Sequence, residues 1–167
     1  MAKLVKGGVR LRTQLNVKYP KRDKRSDGWI GDKAHADKAS AKKRGSFHNP
    51  DSRGWVHALD IDENFGKRGP WRNGRNAKKL TKQLLAYAQS DMDGSERLLH
   101  VVYNGKVASG TYKKYFWKFR GSGYGHWQHI HISFTRAAET DGSVWPLPIL
   151  AKDKKQRKRW EESLKNE

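Results

Sequence analysis

The chain has 167 residues, with 36 Lys and Arg against 17 Asp and Glu, no cysteine and a formal net charge of +19. This length suits about one domain, and the lack of cysteine excludes disulfides and thiolate metal sites, so any metal must bind His, Asp or Glu. No apolar run approaches the roughly 20 residues that span a bilayer, and the first residues lack a secretory hydrophobic stretch. We therefore expect no membrane span and synthesis in the cytoplasm.

Periodicity predicts three elements in the first half of the chain. Residues 8–20 carry apolar side chains near helical spacing and end at proline, which predicts a short helix. The alanine-rich segment 32–44 predicts a short surface helix. Residues 55–61 (WVHALDI) predict a strand, because β-branched and aromatic residues follow turn residues.

The second half mixes one amphipathic helix with strands. Residues 77–89 predict a helix with an apolar face, and 97–109 predict a hairpin with Asn-Gly at its turn. The aromatic, basic segment from residue 111 runs into a further strand that ends at 134. The pattern predicts an α+β fold with an antiparallel sheet flanked by helices, as one domain over 1–150, followed by a basic tail over 151–167. We expect a monomer.

Histidines and aspartates concentrate in two of these segments. Side chains of a strand alternate between faces, so His129 and His131 share one face of HWQHIHISF, opposite its apolar residues. In the same way Asp60 and Asp62 share a face of WVHALDID. If the two strands are neighbours, these four groups converge and His48 joins them from a turn; such nitrogen and oxygen donors suit zinc. The alternative is that these residues are structural: histidines in ordinary hydrogen bonds, as we expect for His35, His57 and His100, and aspartates that cap turns.

The motifs SFHNPDSRGWVHALDID and HIH resemble the signature of the zinc D-Ala-D-Ala carboxypeptidase-like peptidases, which include bacteriophage endolysins and share a fold with the hedgehog signalling domain. The resemblance covers about residues 8–134 and implies that fold, with cleavage of peptide bonds in bacterial peptidoglycan. It implies zinc ligands at His48, Asp60 and His131. It also implies that Ser46 supports the site through a hydrogen bond, and that Asp62 orients a ligand or a substrate amine.

The chain departs from the family pattern at two points. More residues separate His48 from Asp60 than in familiar members, which indicates an insertion around 51–54. The glutamate that serves as general base in the carboxypeptidase branch is replaced by Gln128. The histidines instead resemble the murein endopeptidase branch, which implies that His129 takes the proton from water and passes it to the leaving amine, while His126 assists. Endopeptidase activity is therefore favoured over carboxypeptidase activity.

The positive charge predicts a polyanionic partner or setting. For an endolysin, made in the host cytoplasm and acting on the cell wall after release, the lysines and arginines would hold anionic wall polymers, with 152–160 as one candidate contact. Two other hypotheses stay open. The chain could be a metal-dependent nuclease, although it shows no recognised nuclease motif, or a polyanion-binding protein without catalysis. Cleavage of the stem peptide, cleavage of the cross-link and carboxypeptidase trimming all fit the same zinc chemistry.

Overall fold

A four-stranded antiparallel sheet forms the centre of the protein. The structure, a computed structural model, describes residues 1–31, 46–66 and 74–165. Its strands are β1 Lys3–Leu4, β2 Trp55–Val56, β3 Ala58–Asp62, β4 Leu98–Tyr103, β5 Lys106–Ser109 and β6 His129–Phe134. The main sheet has the order β3-β6-β4-β5, and β1 pairs with β2 in a separate parallel pair. The helix and the histidine expected within 32–44 lie outside the described residues.

Helices cover the apolar face of this sheet. They are α1 Lys6–Lys18, α2 Arg75–Gln89, α3 Ala137–Thr140 and α4 Lys154–Ser163, with 3-10 turns at Ser95–Arg97, Lys113–Tyr115 and Pro148–Leu150. Leu11 and Leu15 of α1 and Leu80 and Leu84 of α2 are fully buried, at the helical spacing of the sequence. The α+β class and its antiparallel sheet agree with the prediction.

The prediction that WVHALDI forms a single strand is wrong. The segment forms β2 and β3, which belong to different sheets and are separated by His57. The backbone N–H of His57 donates to the carbonyl of Phe47 at 3.1 Å, and its own carbonyl accepts from the N–H of Phe134 at 2.8 Å. The chain changes partner here, which alternation of residue types does not encode.

The predicted hairpin is confirmed, and its turn positions a loop. Asn104 and Gly105 have φ of 50° and 74°, the positive values that a tight two-residue turn between twisted strands requires. Their N–H groups donate to the carbonyls of His126 at 3.0 Å and Gly125 at 2.9 Å. The last strand is shorter than expected, because residues 110–128 form an irregular loop that this turn holds.

The basic C-terminal segment is a helix attached to the core. The carboxylate of Asp153 caps α4 by accepting from the N–H of Gln156 at 2.8 Å. Trp160 is buried within the core cluster, and Leu164 packs against it. Among the described helices, none combines the length and the apolarity needed to cross a bilayer.

Candidate metal centre

The register of β3 and β6 brings an aspartate and a histidine together on the polar face of the sheet. Asp60 lies opposite His131, and Asp62 lies opposite His129. On the other face Leu59 and Ile132, also opposite each other, are buried in the core. Burial of the apolar alternate residues therefore fixes the direction of the polar ones.

His48 reaches the same point from a tight turn. The hydroxyl of Ser46 accepts from the backbone N–H of His48 at 3.2 Å, and the N–H of Asn49 donates to the carbonyl of Ser46 at 2.9 Å. The carbonyl of His48 accepts from the N–H of Gly31 at 2.8 Å. Ser46 thus hydrogen-bonds to the backbone of the turn that carries His48.

The three side chains form a compact triad. His48 Nε2 lies 3.2 Å from His131 Nδ1 and 3.2 Å from Asp60 Oδ2, while His131 Nδ1 lies 2.9 Å from Asp60 Oδ1. Both imidazoles are nearly buried, and Asp60 is 17% exposed, so the triad opens to solvent at its carboxylate. The described residues here can supply two nitrogens and one oxygen to a metal ion.

The electrostatics of the triad favour a cation. Burial raises the pKa of Asp60, but the adjacent imidazoles of His131 and His48 outweigh it and hold the pKa well below its ordinary value. Burial is the main effect on His131 and lowers its pKa, which favours the neutral imidazole that metals bind. The pKa of His48 is raised, because Asp60 and the backbone of Trp29 outweigh burial.

Two further histidines border the triad. His129 Nε2 lies 3.6 Å from Asp60 Oδ2 and 2.6 Å from His126 Nδ1. Burial, with the electrostatic effect of the neighbouring His131 and His129, lowers the pKa of His126 to about 4, so His126 is neutral near pH 7. His126 also has φ of 59°, a conformation that is strained for a residue with a Cβ and that occurs often at functional sites. Together with Asp60 these two histidines make a second group with metal-binding geometry.

Ser133 and His100, which contact the far side of the His131 ring, were not recognised as part of the site from the sequence. Ser133, which is fully buried, places Oγ 2.8 Å from His131 Nε2 and 3.0 Å from His100 Nε2. Burial chiefly, and then His131 and His126, lower the pKa of His100 to about 4, so His100 is neutral near pH 7 and has one donor and one acceptor nitrogen. If His131 binds a metal ion through Nδ1, its Nε2–H donates to Ser133 and Ser133 donates to His100. This leaves the lone pair of His131 on Nδ1, which faces the triad.

The signal for Ser133 was available in the sequence. Ser133 stands two residues after His131, so alternation puts both on one face of β6. His100 was expected to be structural; it hydrogen-bonds as expected, but its partner belongs to the site.

The segment 22–31 braces the triad from outside the sheet. Gly28 exchanges two backbone hydrogen bonds with Asp60, at 2.6 and 3.2 Å. The backbone of Trp29 hydrogen-bonds to the His48 ring and raises the pKa of that ring, which identifies its carbonyl as the acceptor. A carbonyl that holds one ring nitrogen leaves the other for the site. No side-chain pattern in the sequence points to these backbone contacts.

Asp62 supports this segment rather than the triad. It is fully buried, and its carboxylate accepts from the N–H of Ser26 at 3.2 Å and of Asn64 at 2.9 Å. Its own N–H donates to Asp27 at 2.8 Å. These bonds hold the bracing segment against β3, so the expected role in orienting a substrate amine has no support in its contacts.

The remaining described histidine, His57, belongs to a separate polar cluster. Its Nε2 lies 3.2 Å from Glu139 and 3.8 Å from Asp51, and its Nδ1 lies 3.2 Å from the carbonyl of Phe134. Arg53 pairs with both carboxylates, at 2.5 and 3.0 Å. The guanidinium neutralises these acids, and His57, Asp51 and Glu139 form a third group whose ligand atoms lie close enough for a metal ion.

Comparisons of the chain with protein-family models, with curated proteins and with solved structures gave no match.

Proposed function

We propose that the protein is a zinc-dependent peptidase of bacterial peptidoglycan, of the D-Ala-D-Ala carboxypeptidase-like type with its hedgehog-like fold, and that it acts as a bacteriophage endolysin. The observation that carries the proposal is the convergence of His48, Asp60 and His131, far apart in sequence, within 3.2 Å of one another. The resemblance of the SFHNPDSRGWVHALDID and HIH motifs supplies the reaction class.

The donor set fits zinc. Ligands at about 2.0–2.2 Å from a tetrahedral ion stand about 3.3 Å apart. The separations from His48 Nε2 to the other two donors, both 3.2 Å, match that edge. Two imidazoles and one carboxylate also leave a coordination position open, as catalytic zinc sites do. His48, Asp60 and His131 would therefore hold the ion.

Zinc, when bound, supplies Lewis acidity that polarises a carbonyl oxygen and makes water a stronger acid. The protein supplies the orientation: Ser133 fixes the ring of His131, and the backbone of Trp29 fixes that of His48. The open edge of the triad lies at Asp60 and His129, which are partly exposed. Substrate approaches from this side.

His129 is the general base and acid of the proposal. A proton taken up at its Nε2 from the attacking water is stabilised by His126 Nδ1 at 2.6 Å and by Asp60 at 3.6 Å. The same nitrogen then delivers the proton to the leaving amine. Gln128 has no titratable group, and its carbonyl accepts from the N–H of Glu63 at 3.1 Å, so it holds the backbone instead.

The charge of +19 supports an anionic setting such as the cell wall, which the protein reaches after release from the host cytoplasm. In α4 the side chains of Lys154, Lys155, Lys158 and Arg159 are exposed while Trp160 is buried. This helix is a fixed cationic surface that could hold wall polymers.

Two variants test the proposal on purified protein, by metal analysis and by release of peptides from isolated peptidoglycan. His131→Ala should lose both zinc and activity. His129→Ala should keep zinc and lose about 10²- to 10⁴-fold in rate, because a general base is not a ligand. His57→Ala, which removes a half-buried imidazole outside the triad, is the matched control and should retain both.

The outcomes separate the hypotheses. Zinc bound at full stoichiometry by His131→Ala would remove the triad from the proposal. Loss of zinc from His129→Ala would make His129 a ligand. Degradation of DNA in place of peptidoglycan, abolished by a chelator, would favour the nuclease, and retention on polyanions without turnover would favour a binding protein.

A further inference from the structure

Exposed aromatic side chains are concentrated in the segment that leads from β5 to the histidines of β6. Six aromatic side chains among the described residues are exposed, and five of them lie in a stretch of 16 residues within the loop between β5 and β6. We name these five the aromatic strip: Tyr112, Tyr115, Phe116, Tyr124 and Trp127. The sixth, Phe47, precedes His48 and contacts the ring of His100 at 5.3 Å between ring centroids. Trp127 is 60% exposed and stands between His126 and His129. Large rings held in water at a site are typical of a binding surface.

The backbone beneath the strip is firmly held. Val107 and Arg120 exchange two backbone hydrogen bonds, at 3.1 and 3.0 Å, and the N–H of Trp117 donates to Ser109 at 3.0 Å. The side chain of Trp117 is itself buried and anchors the middle of the loop in the core. The exposed rings therefore project from an ordered scaffold, which lowers the entropy lost when a partner binds.

Two of the rings pack closely against glycines. A Cβ at Gly105 would lie 2.6 Å from the ring of Trp127, and one at Gly121 would lie 2.5 Å from the ring of Tyr124. Both glycines also have positive φ, of 74° and 72°. The rings thus lie directly against the backbone and leave their outer faces to solvent.

The charged side chains around the strip are all cationic. Residues 98–138 contain no aspartate or glutamate and six lysines and arginines. The guanidinium of Arg120 lies 4.1 Å above the ring of Tyr112, and Lys114 lies 5.4 Å from that of Tyr115. Flat apolar faces interleaved with cations complement a polymer that has both flat apolar faces and negative groups.

We propose that the aromatic strip binds the saccharide strand of the anionic cell-wall glycan and holds it beside the triad; this inference rests on the proposed function for its choice of polymer. Sugar rings offer apolar C–H faces that stack on aromatic rings, and their carboxylate or phosphate groups pair with the neighbouring cations. Single-stranded nucleic acid would satisfy the same chemistry, but it has no peptide bond for the triad to cleave.

The test uses glycan stripped of its stem peptides, so that binding is measured without any bond that the peptidase could cut. Isothermal titration of the full chain with these soluble glycan strands gives the affinity. Tyr112→Ala, Phe116→Ala and Tyr124→Ala should each weaken binding about tenfold, the loss typical of an aromatic contact at an interface. Val17→Ala and Val144→Ala, which remove exposed apolar side chains outside the strip, should bind as the wild type does.

Three measurements make the result decisive. Zinc content should be unchanged in the strip variants, because none of these rings is a ligand. If the strip variants lose hydrolysis but still bind the glycan, the inference is overturned. Lys113→Glu keeps every ring and should also weaken glycan binding. It tests the inference independently if an alanine variant is destabilised. A wild-type preference for a 20-nucleotide oligo-dT over the glycan, lost in the strip variants, would assign the strip to nucleic acid instead. If the protein fails to cleave peptidoglycan but the strip variants still lose the glycan, the proposed function falls and the inference stands.

Discussion

Replacing Ser133 by alanine tests the hydrogen-bond chain behind the triad. The hydroxyl lies 2.8 Å from His131 Nε2 and 3.0 Å from His100 Nε2, in a position with no solvent exposure. Without it, Nε2 of His131 loses its hydrogen-bond partner, and the ring can exchange tautomers and rotate. We expect weaker zinc binding, although none of the three proposed ligands has been changed.

The size of the effect follows from two contributions. A buried polar group left without its partner costs about 1–3 kcal/mol of folding free energy. Loss of a hydrogen bond to a metal-binding histidine weakens metal affinity about 10- to 100-fold. At a fixed free zinc concentration above the dissociation constant, each tenfold loss of affinity removes about 1.4 kcal/mol of zinc-linked stabilisation.

The assay is zinc competition with a chelator, together with urea unfolding in zinc and in chelator. Ser109→Ala is the control, because Ser109 is buried opposite His100 on β5 and its hydroxyl has no hydrogen bond within the described residues. If Ser133→Ala binds zinc as tightly as Ser109→Ala does, the hydroxyl does not orient His131, and the argument for a fixed tautomer is refuted.

Three further predictions concern stability. Arg97→Met should lower the free energy of unfolding by about 1–3 kcal/mol in urea, because the carbonyls of Gly94 and Ser143 lose the donors that reach them at 2.8 Å, and an increase in stability would show that these bonds are dispensable. Leu84→Ala should lower it by about 2–5 kcal/mol, since Leu84 is fully buried in α2; a loss below 1 kcal/mol would contradict its core position. The hydrogen bond from Arg25 lowers the pKa of Asp23 to about 2, below the unfolded value near 4, so this stabilisation is complete above pH 4 and is lost as the pH falls towards 2. Asp23→Asn should remove that part of the acid dependence in thermal unfolding from pH 2 to 6, and an unchanged profile would show that the pair is not the cause.

The parts of the fold that the sequence predicted are those set by local periodicity. Leu80 and Leu84 are one helical turn apart, and the Asn104-Gly105 pair defines its turn through two backbone conformations. The part it missed, the break at His57, depends on hydrogen bonds to Phe47 and Phe134. Those partners lie 10 and 77 residues away, so no local pattern marks the change of sheet.

The candidate site divides in the same way. Alternation predicted that Asp60 and His131 face away from the core, and each is indeed opposite the other on the polar face. It could not predict that Ser133 would meet His100, because that contact requires β6 to pair with β4 as well as β3. Nor could it predict the backbone contribution of Trp29, since a carbonyl is present in every residue.

The sequence by itself determined the chemical inventory: a cationic chain without thiols, whose possible metal donors are imidazoles and carboxylates carried on alternating strand positions. Tertiary structure alone decided which donors meet, and it did so through the register of β3 against β6 and the turn that delivers His48. The physical reason is that residue type sets what a side chain can bind, whereas a separation of about 3 Å between donors far apart in sequence is set by the packing of the whole core.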